Sequence, residues 1–190
     1  MATPVLHLLA GPNGAGKSTF VVHYLQPVTH LPFVNADVIA AERWPGEELE
    51  HAYDASRAAA EQRQTMIAAR RSFISETVFS HPSKVDLVAQ ATAHGYLVHL
   101  HVIMVAADTP VERVRRRVRA GGHDVPAAKV RERYARLWDL VATARRLADR
   151  TTCYDNSSLA TPFRVVASYE RGRLVGSADW PAWTPAPLRD

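Results

Sequence analysis

Residues 11–19 read GPNGAGKST and follow the apolar run VLHLLA at residues 5–10. These nine residues match the phosphate-binding loop G-x-x-x-x-G-K-[ST], in which glycines let successive backbone N–H groups point into one concavity. The segment after the loop, from Lys17 to Gln26, has helix-like apolar spacing and stops at Pro27. Strand, loop and helix therefore follow in the order that this motif requires, which predicts a nucleotide site.

The residue types of the loop suit a nucleotide. Its backbone N–H groups and the helix N-terminus supply positive potential to phosphates, Lys17 reaches the β and γ phosphates, and the Ser18 hydroxyl is a ligand for Mg²⁺. The loop therefore predicts ATP and Mg²⁺ as cofactors, with the metal on Ser18. The residues expected to contact the nucleotide are Gly11, Pro12, Asn13, Gly14, Ala15, Gly16, Lys17, Ser18 and Thr19.

Outward from the loop, predicted strands and helices alternate. Apolar runs predict strands at residues 5–10, 31–34, 73–75, 96–105 and 152–154, and helical spacing predicts helices at residues 17–26, 38–43, 47–70, 82–95, 110–120 and 127–148. Such alternation is typical of βαβ units around a parallel sheet. Residues 163–169 and 174–175 flank a turn, which predicts a hairpin before an irregular tail. The predicted fold class is α/β: a three-layer P-loop NTPase fold with a mostly parallel central sheet, a helical lid and a C-terminal hairpin.

Length and composition favour a single globular domain. The chain has 190 residues, of which 47% are hydrophobic and 22% charged, values close to those of ordinary globular proteins. We expect one domain over residues 1–190, with a core at 1–157, a lid at about 113–135, and a hairpin and tail at 158–190. One cysteine, Cys153, cannot form an internal disulfide, and the longest apolar run is too short for a membrane helix. We therefore expect a cytoplasmic location and no membrane partner.

The basic charge is concentrated in one segment. Residues 112–150 contain twelve basic and five acidic residues, a net charge of +7, whereas the whole chain carries +4. Such a segment attracts phosphate-rich ligands, although a solvated helical face has the same composition. Arg117 and, beyond the glycine pair at 121–122, Arg133 are the arginines expected to close over the phosphates. There they would neutralise charge that develops on the transferred group.

Two carboxylates follow predicted strands at the edge where ligands of parallel sheets bind. Asp37 ends the sequence VNAD and is expected to accept the proton of an attacking hydroxyl or to hold Mg²⁺, with a helix N-cap as the alternative role. Glu76 ends the strand FISE, and its carboxylate is expected to accept hydrogen bonds from sugar hydroxyls or from a metal-bound water. The alternative for Glu76 is a loop cap near Thr77. Asn35 and Thr77 lie beside these carboxylates and are further candidates for substrate contacts.

Together, GPNGAGKST, VNAD, the strand that ends at Glu76 and the lid-like arginines resemble the zeta toxin family of P-loop kinases over roughly residues 5–157. Members of that family transfer the γ-phosphate of ATP to the 3′-hydroxyl of the sugar in UDP-N-acetylglucosamine. The resemblance implies an acceptor of the nucleotide-sugar class and a possible antitoxin partner. The resemblance also implies roles for single residues. Asp37 would be the base, and Glu76 would contact the acceptor. The nucleotide and Mg²⁺ would be held by Lys17, Ser18 and Thr19, and the arginine pair of the family would be Arg117 and Arg133.

Other readings remain open. A kinase for another small metabolite or an antibiotic would share every motif named above. A nucleic-acid-directed NTPase or polynucleotide kinase would use the basic helices as a phosphate track, but the aromatics are not interleaved with the arginines as base-stacking platforms. An ABC transporter ATPase uses the same loop, but the chain has no LSGGQ-like signature. No spacing of histidine and cysteine matches a zinc site, so we expect no zinc.

Overall fold

The central sheet of the computed structural model has the strand order β2-β3-β1-β4-β5-β6-β7. Strands β1 to β5 pair in parallel, and β6 and β7 extend the sheet as an antiparallel hairpin. The structure describes residues 2–107, 109 and 127–189. Its strands are β1 (Val5–Ala10), β2 (Phe33–Val34), β3 (Phe73–Thr77), β4 (Leu97–Met104), β5 (Arg150–Asp155), β6 (Arg164–Glu170) and β7 (Arg173–Leu174).

Helices cover both faces of this sheet. The described helices are α1 (Lys17–Phe20), its π-helical continuation (Val21–Leu25), α2 (Gln26–Thr29), α3 (Ala36–Arg43), α4 (Ala52–Ala68), α5 (Ser83–Ala93), α6 (Ala127–Leu147) and α7 (Ala186–Arg189). Leu6, Leu8 and Leu100 point to the face that packs against α3, α4, α5, α6 and α7, whereas Leu9 and Ile103 point to the face that packs against the helix after the loop. The predicted α/β class, the mostly parallel sheet and the C-terminal hairpin are confirmed. The predicted helix at residues 110–120 lies outside the described residues.

Several predicted boundaries differ from those of the structure, and three of the differences have a physical reason. The first helix continues past Pro27 to Thr29, because the π-helical turn precedes the proline and leaves it near the start of α2, where its missing N–H is tolerated. Helix α4 begins at Ala52, after residues 47–51 form turns. Strand β3 extends to Thr77, because it pairs with β1 over its whole length.

The tail is more ordered than its prolines predict. Leu188, on the short helix α7, is completely buried and its carbonyl accepts a hydrogen bond of 2.9 Å from Arg145 Nη1 on α6. Trp180 and Trp183 pack against the same core. Apolar burial therefore overrides the local irregularity that Pro181, Pro185 and Pro187 favour. No helix among the described residues is long and apolar enough to span a membrane.

Candidate nucleotide and phosphoryl-transfer site

The phosphate-binding loop lies where the strand order reverses. Strand β1 has β3 on one side and β4 on the other, so the loop that leaves β1 opens into the crevice where ligands of such sheets bind. A Cβ on Gly11 would lie 2.3 Å from the Ile103 carbonyl oxygen, and a Cβ on Gly16 would lie 2.6 Å from Asn156 Nδ2. Gly16 also has φ +94°. Only glycine fits at these two positions.

Lys17 lies inside the loop. Its side chain is buried, and Nζ donates to the carbonyl oxygens of Gly11 and Pro12, both at 3.0 Å. The same ammonium lies 3.8 Å from Glu76 Oε1. Its positive charge is therefore fixed where the loop would hold phosphates.

Glu76 joins the loop to the neighbouring strands. Its Oε2 accepts hydrogen bonds from Ser18 Oγ at 2.7 Å and from Asn35 Nδ2 at 2.9 Å, and its side chain is nearly buried. Register explains the contact, because Glu76 pairs with Leu9 at the end of β1. Carboxylate and hydroxyl oxygens are the ligands that Mg²⁺ prefers, so these residues fit the predicted metal.

Asn35, and not Asp37, caps helix α3. Its side-chain oxygen accepts hydrogen bonds from the backbone N–H groups of Asp37 at 2.6 Å and Val38 at 3.4 Å. The capping role that the sequence allowed for Asp37 is therefore wrong. The Asp37 side chain is exposed in the first turn of α3, at the same edge of the sheet as the loop.

Thr77 contributes to the loop that follows β3. Its Oγ1 accepts a hydrogen bond of 3.2 Å from the backbone N–H of Phe79, whose side chain is completely buried. Glu76 itself turns away from this loop and toward Ser18. A contact of Thr77 or Glu76 with an acceptor stays a prediction.

The structure adds Asn156, which was not among the predicted site residues. Asn156 Nδ2 donates to the Ala15 carbonyl at 2.7 Å, and its backbone N–H donates to Met104 O at 2.9 Å. Asn156 directly follows β5, so its two hydrogen bonds connect the phosphate-binding loop to the carboxyl ends of β4 and β5. A polar residue directly after a strand of the same sheet is the only signal in the sequence that points to it.

The structure describes the position of only one of the two predicted lid arginines. Arg117 lies outside the described residues. Arg133 is half-buried on α6, one residue before Tyr134, whose hydroxyl donates to Val105 O at 3.1 Å. Because Val105 directly follows β4, this turn of α6 lies at the carboxyl edge of the sheet, where the loop opens.

A family model described as AAA domain (AAA_33) matches residues 6–139, well over half of the chain. The chain belongs to this family. The matched part of this AAA domain includes the phosphate-binding loop, Asp37 and Glu76. No curated protein sequence matches the chain.

Solved structures share the fold of this AAA domain at low sequence identity. A chain of the AvrRxo1-ORF1:AvrRxo1-ORF2 complex with sulphate ions has a TM-score of 0.68 and 16% identity, over 92% of this chain and 61% of that chain. A chain of the Pnkp1/Rnl/Hen1 RNA repair complex has a TM-score of 0.62 and 19% identity, over 90% of this chain and 49% of that chain.

A third similar structure is a chain of the PezAT chromosomal toxin–antitoxin system of Streptococcus pneumoniae. It has a TM-score of 0.58 and 13% identity, over 82% of this chain and 69% of that chain. The AAA domain thus spans about three fifths of the length of the AvrRxo1 chain. These likenesses concern the fold, and they support the P-loop kinase architecture that the sequence predicts.

Proposed function

We propose that this AAA domain is an ATP-dependent kinase that transfers the γ-phosphate of ATP to a hydroxyl of a small molecule. The observation that carries the proposal is the contact of Ser18 and Asn35 with Glu76 beside the Lys17 ammonium. A P-loop whose lysine and hydroxyl converge on one carboxylate has the groups that phosphoryl transfer needs.

Ser18 and Glu76 are the residues that would hold Mg²⁺. When bound, the ion would neutralise negative charge on the β and γ phosphates. The Ser18 hydroxyl can donate its proton to Glu76 Oε2 and still offer an oxygen lone pair to the metal. Asn35 Nδ2 donates to the same Oε2 and fixes the carboxylate. Glu76 is therefore assigned to the metal side of the site, and its contact with the acceptor stays a prediction from the family resemblance.

Asp37 is the proposed base. Its exposed carboxylate would accept the proton of the acceptor hydroxyl while the hydroxyl oxygen forms a bond to the γ-phosphorus. The bond from that phosphorus to the β,γ-bridging oxygen breaks, and ADP leaves with its electron pair. Lys17, Arg133 and the predicted partner Arg117 would stabilise charge on the phosphates during this step.

The proposed acceptor is a nucleotide sugar such as UDP-N-acetylglucosamine. Support comes from the resemblance to zeta toxins and from the net charge of +7 over residues 112–150, which suits an acceptor that carries phosphates of its own. The PezAT likeness adds a possible antitoxin as protein partner. The RNA repair likeness makes an oligonucleotide 5′-hydroxyl the second acceptor to test.

Mass spectrometry tests the proposal directly. The purified protein is incubated with Mg-ATP and UDP-N-acetylglucosamine, other hydroxyl metabolites, or a 5′-hydroxyl oligonucleotide. We expect the nucleotide sugar to gain one phosphate. Lys17→Ala should abolish ATP binding, and Asp37→Asn should keep ATP binding and lose transfer. Glu42→Gln is the matched control, because it removes another exposed carboxylate of α3.

The outcomes separate the parts of the proposal. Transfer by Asp37→Asn at the native rate would show that Asp37 is not the base. Phosphate gain on another metabolite, or on the oligonucleotide, would keep the kinase and replace the acceptor. ATP turnover with no phosphorylated acceptor would contradict the kinase assignment.

A further inference from the structure

Three histidines cluster on the sheet face that packs against α1 and its π-helical continuation. His7 lies on β1 and pairs in register with His99 on β4. Because side chains alternate along a strand, His101 shares the face of His99. The ring centroids are 5.5 Å apart for His7 and His99, 5.3 Å for His7 and His101, and 4.0 Å for His99 and His101. One nitrogen of each ring lies within 4.8 Å of a nitrogen of both others.

Two hydroxyl groups orient these rings. His99 Nε2 lies 3.2 Å from Thr152 Oγ1, and His101 Nδ1 lies 3.3 Å from Tyr154 Oη. If each ring donates its N–H to the neighbouring hydroxyl, His99 Nδ1 and His101 Nε2 keep their lone pairs. Hydrogen bonds of this kind fix the tautomer and orientation of histidines that bind metals.

The nitrogen spacing approaches that of ligands around one ion. His7 Nδ1 and His101 Nε2 share a hydrogen bond of 3.0 Å, and a bound ion would take the place of the proton between them. Two nitrogens that each lie about 2.1 Å from a tetrahedral ion are about 3.4 Å apart. The largest separation in the cluster, within 4.8 Å, exceeds this value by little more than 1 Å, which side-chain rotation can remove.

Burial favours the neutral form of the three imidazoles. Burial lowers the pKa of all three rings, and for His99 burial together with His7 and Arg150 lowers the pKa to about 4. The neutral imidazole is the form that binds metals.

One side of the cluster opens to solvent. His99 lines a groove of about 240 Å³ that β5 and β6 border, together with Arg150, Thr152, Ser168, Tyr169, Glu170 and Val175. His99 faces this groove, so water or an anion would reach an ion on the cluster from the His99 side. Sites with three protein ligands and one coordination position for water or substrate are the open type of zinc site.

We propose that His7, His99 and His101 form a binding site for a first-row divalent transition metal such as Zn²⁺ or Co²⁺. The site is distinct from the proposed Mg²⁺ position, because its donors are imidazole nitrogens and those near the loop are oxygens. The absence of a zinc-like spacing in the sequence does not argue against it, since His7 and His101 are 94 residues apart and only the pairing of β1 with β4 brings them together.

Cobalt titration tests the site. The full chain is made without a polyhistidine tag, treated with EDTA and dialysed, and Co²⁺ is added while visible d–d absorption is recorded. We expect one Co²⁺ per chain with a dissociation constant below about 100 μM, and at least a tenfold loss of affinity in His99→Gln and in His101→Asn. Zn²⁺ should displace the Co²⁺, and a large excess of Mg²⁺ should not.

The cobalt titration has a control variant and a check that the cluster variants are folded. His94→Ala removes an exposed histidine at the C-cap of α5, which packs on the opposite face of the sheet. This variant should leave the Co²⁺ affinity unchanged. Urea midpoints and circular dichroism of His99→Gln and His101→Asn show that each variant is folded, and either folded variant suffices for the test. Absence of Co²⁺ binding by the native chain, equal affinity in a folded cluster variant, or displacement by Mg²⁺ would overturn the proposal.

Discussion

Asn156 is expected to hold the phosphate-binding loop in its nucleotide-binding shape. Its side chain is buried, and its Nδ2 donates the 2.7 Å hydrogen bond to Ala15 O. The substitution Asn156→Ala removes the donor and leaves this carbonyl without that partner. A buried polar group left in this way costs about 1–3 kcal/mol. We expect the free energy of unfolding to fall by an amount in this range.

The affinity for ATP should also be lower in Asn156→Ala. If about 1.4 kcal/mol of the loss falls on the loop conformation that binds phosphates, the dissociation constant for ATP rises about tenfold. Asn156→Asp should be worse than Asn156→Ala, because a carboxylate would face the Ala15 carbonyl and add negative charge beside the phosphates. A hydrogen bond that only stabilises the fold would not produce this order for ATP binding.

Urea denaturation and titration with a fluorescent ATP analogue measure the two effects. Leu159→Ala is the control, because Leu159 lies three residues away and is 89% exposed. We expect the control to match the native chain in both assays. The reasoning is refuted if Asn156→Ala binds the analogue with native affinity, or if Asn156→Asp binds it as well as Asn156→Ala does.

Three further predictions concern stability and reactivity. Gly16→Ala should lower the urea midpoint and abolish nucleotide binding, because its Cβ would lie 2.6 Å from Asn156 Nδ2 at φ +94°; unchanged binding would contradict the loop geometry. Leu188→Ala should cost about 2–5 kcal/mol in urea denaturation, as expected for a completely buried leucine, whereas Leu174→Ala, at an exposed position, should cost little. Burial raises the pKa of Cys153 to about 12, so the thiolate is scarce at pH 8. A thiol reagent should therefore label the unfolded chain and not the native one.

The parts of the structure that the sequence predicted depend on short-range patterns. The glycine and lysine positions of the loop lie within nine residues, and alternation of strands and helices defines the α/β class over similarly short windows. Boundaries were harder to predict because long-range pairing decides them. Glu76 and Thr77 belong to β3 because β1 offers partners at Leu9 and Ala10.

The missed features of the sites depend on contacts between distant parts of the chain. The hydrogen bond from Asn156 to Ala15 joins residues 141 positions apart. The contact of His7 with His101 depends on which strands become neighbours and on their register. Neither can be read from local composition. Asn35 was predicted at the site as a substrate contact, but its cap on α3 and its bond to Glu76 required the structure.

The C-terminal segment completes the core and also leaves one sheet face partly open. Val166, Tyr169 and Leu188 belong to the same buried cluster as residues of β1 and β4, and the Arg145 guanidinium lies 4.4 Å from the Tyr169 ring centre. We therefore propose that residues 1–157 and 158–190 are parts of one domain. Because the segment adds strands β6 and β7 at the edge, and its described helix packs on α6, the groove beside His99 stays uncovered by them. The C-terminal segment thus buries Leu188 against α6 and borders, without covering, the groove at His99.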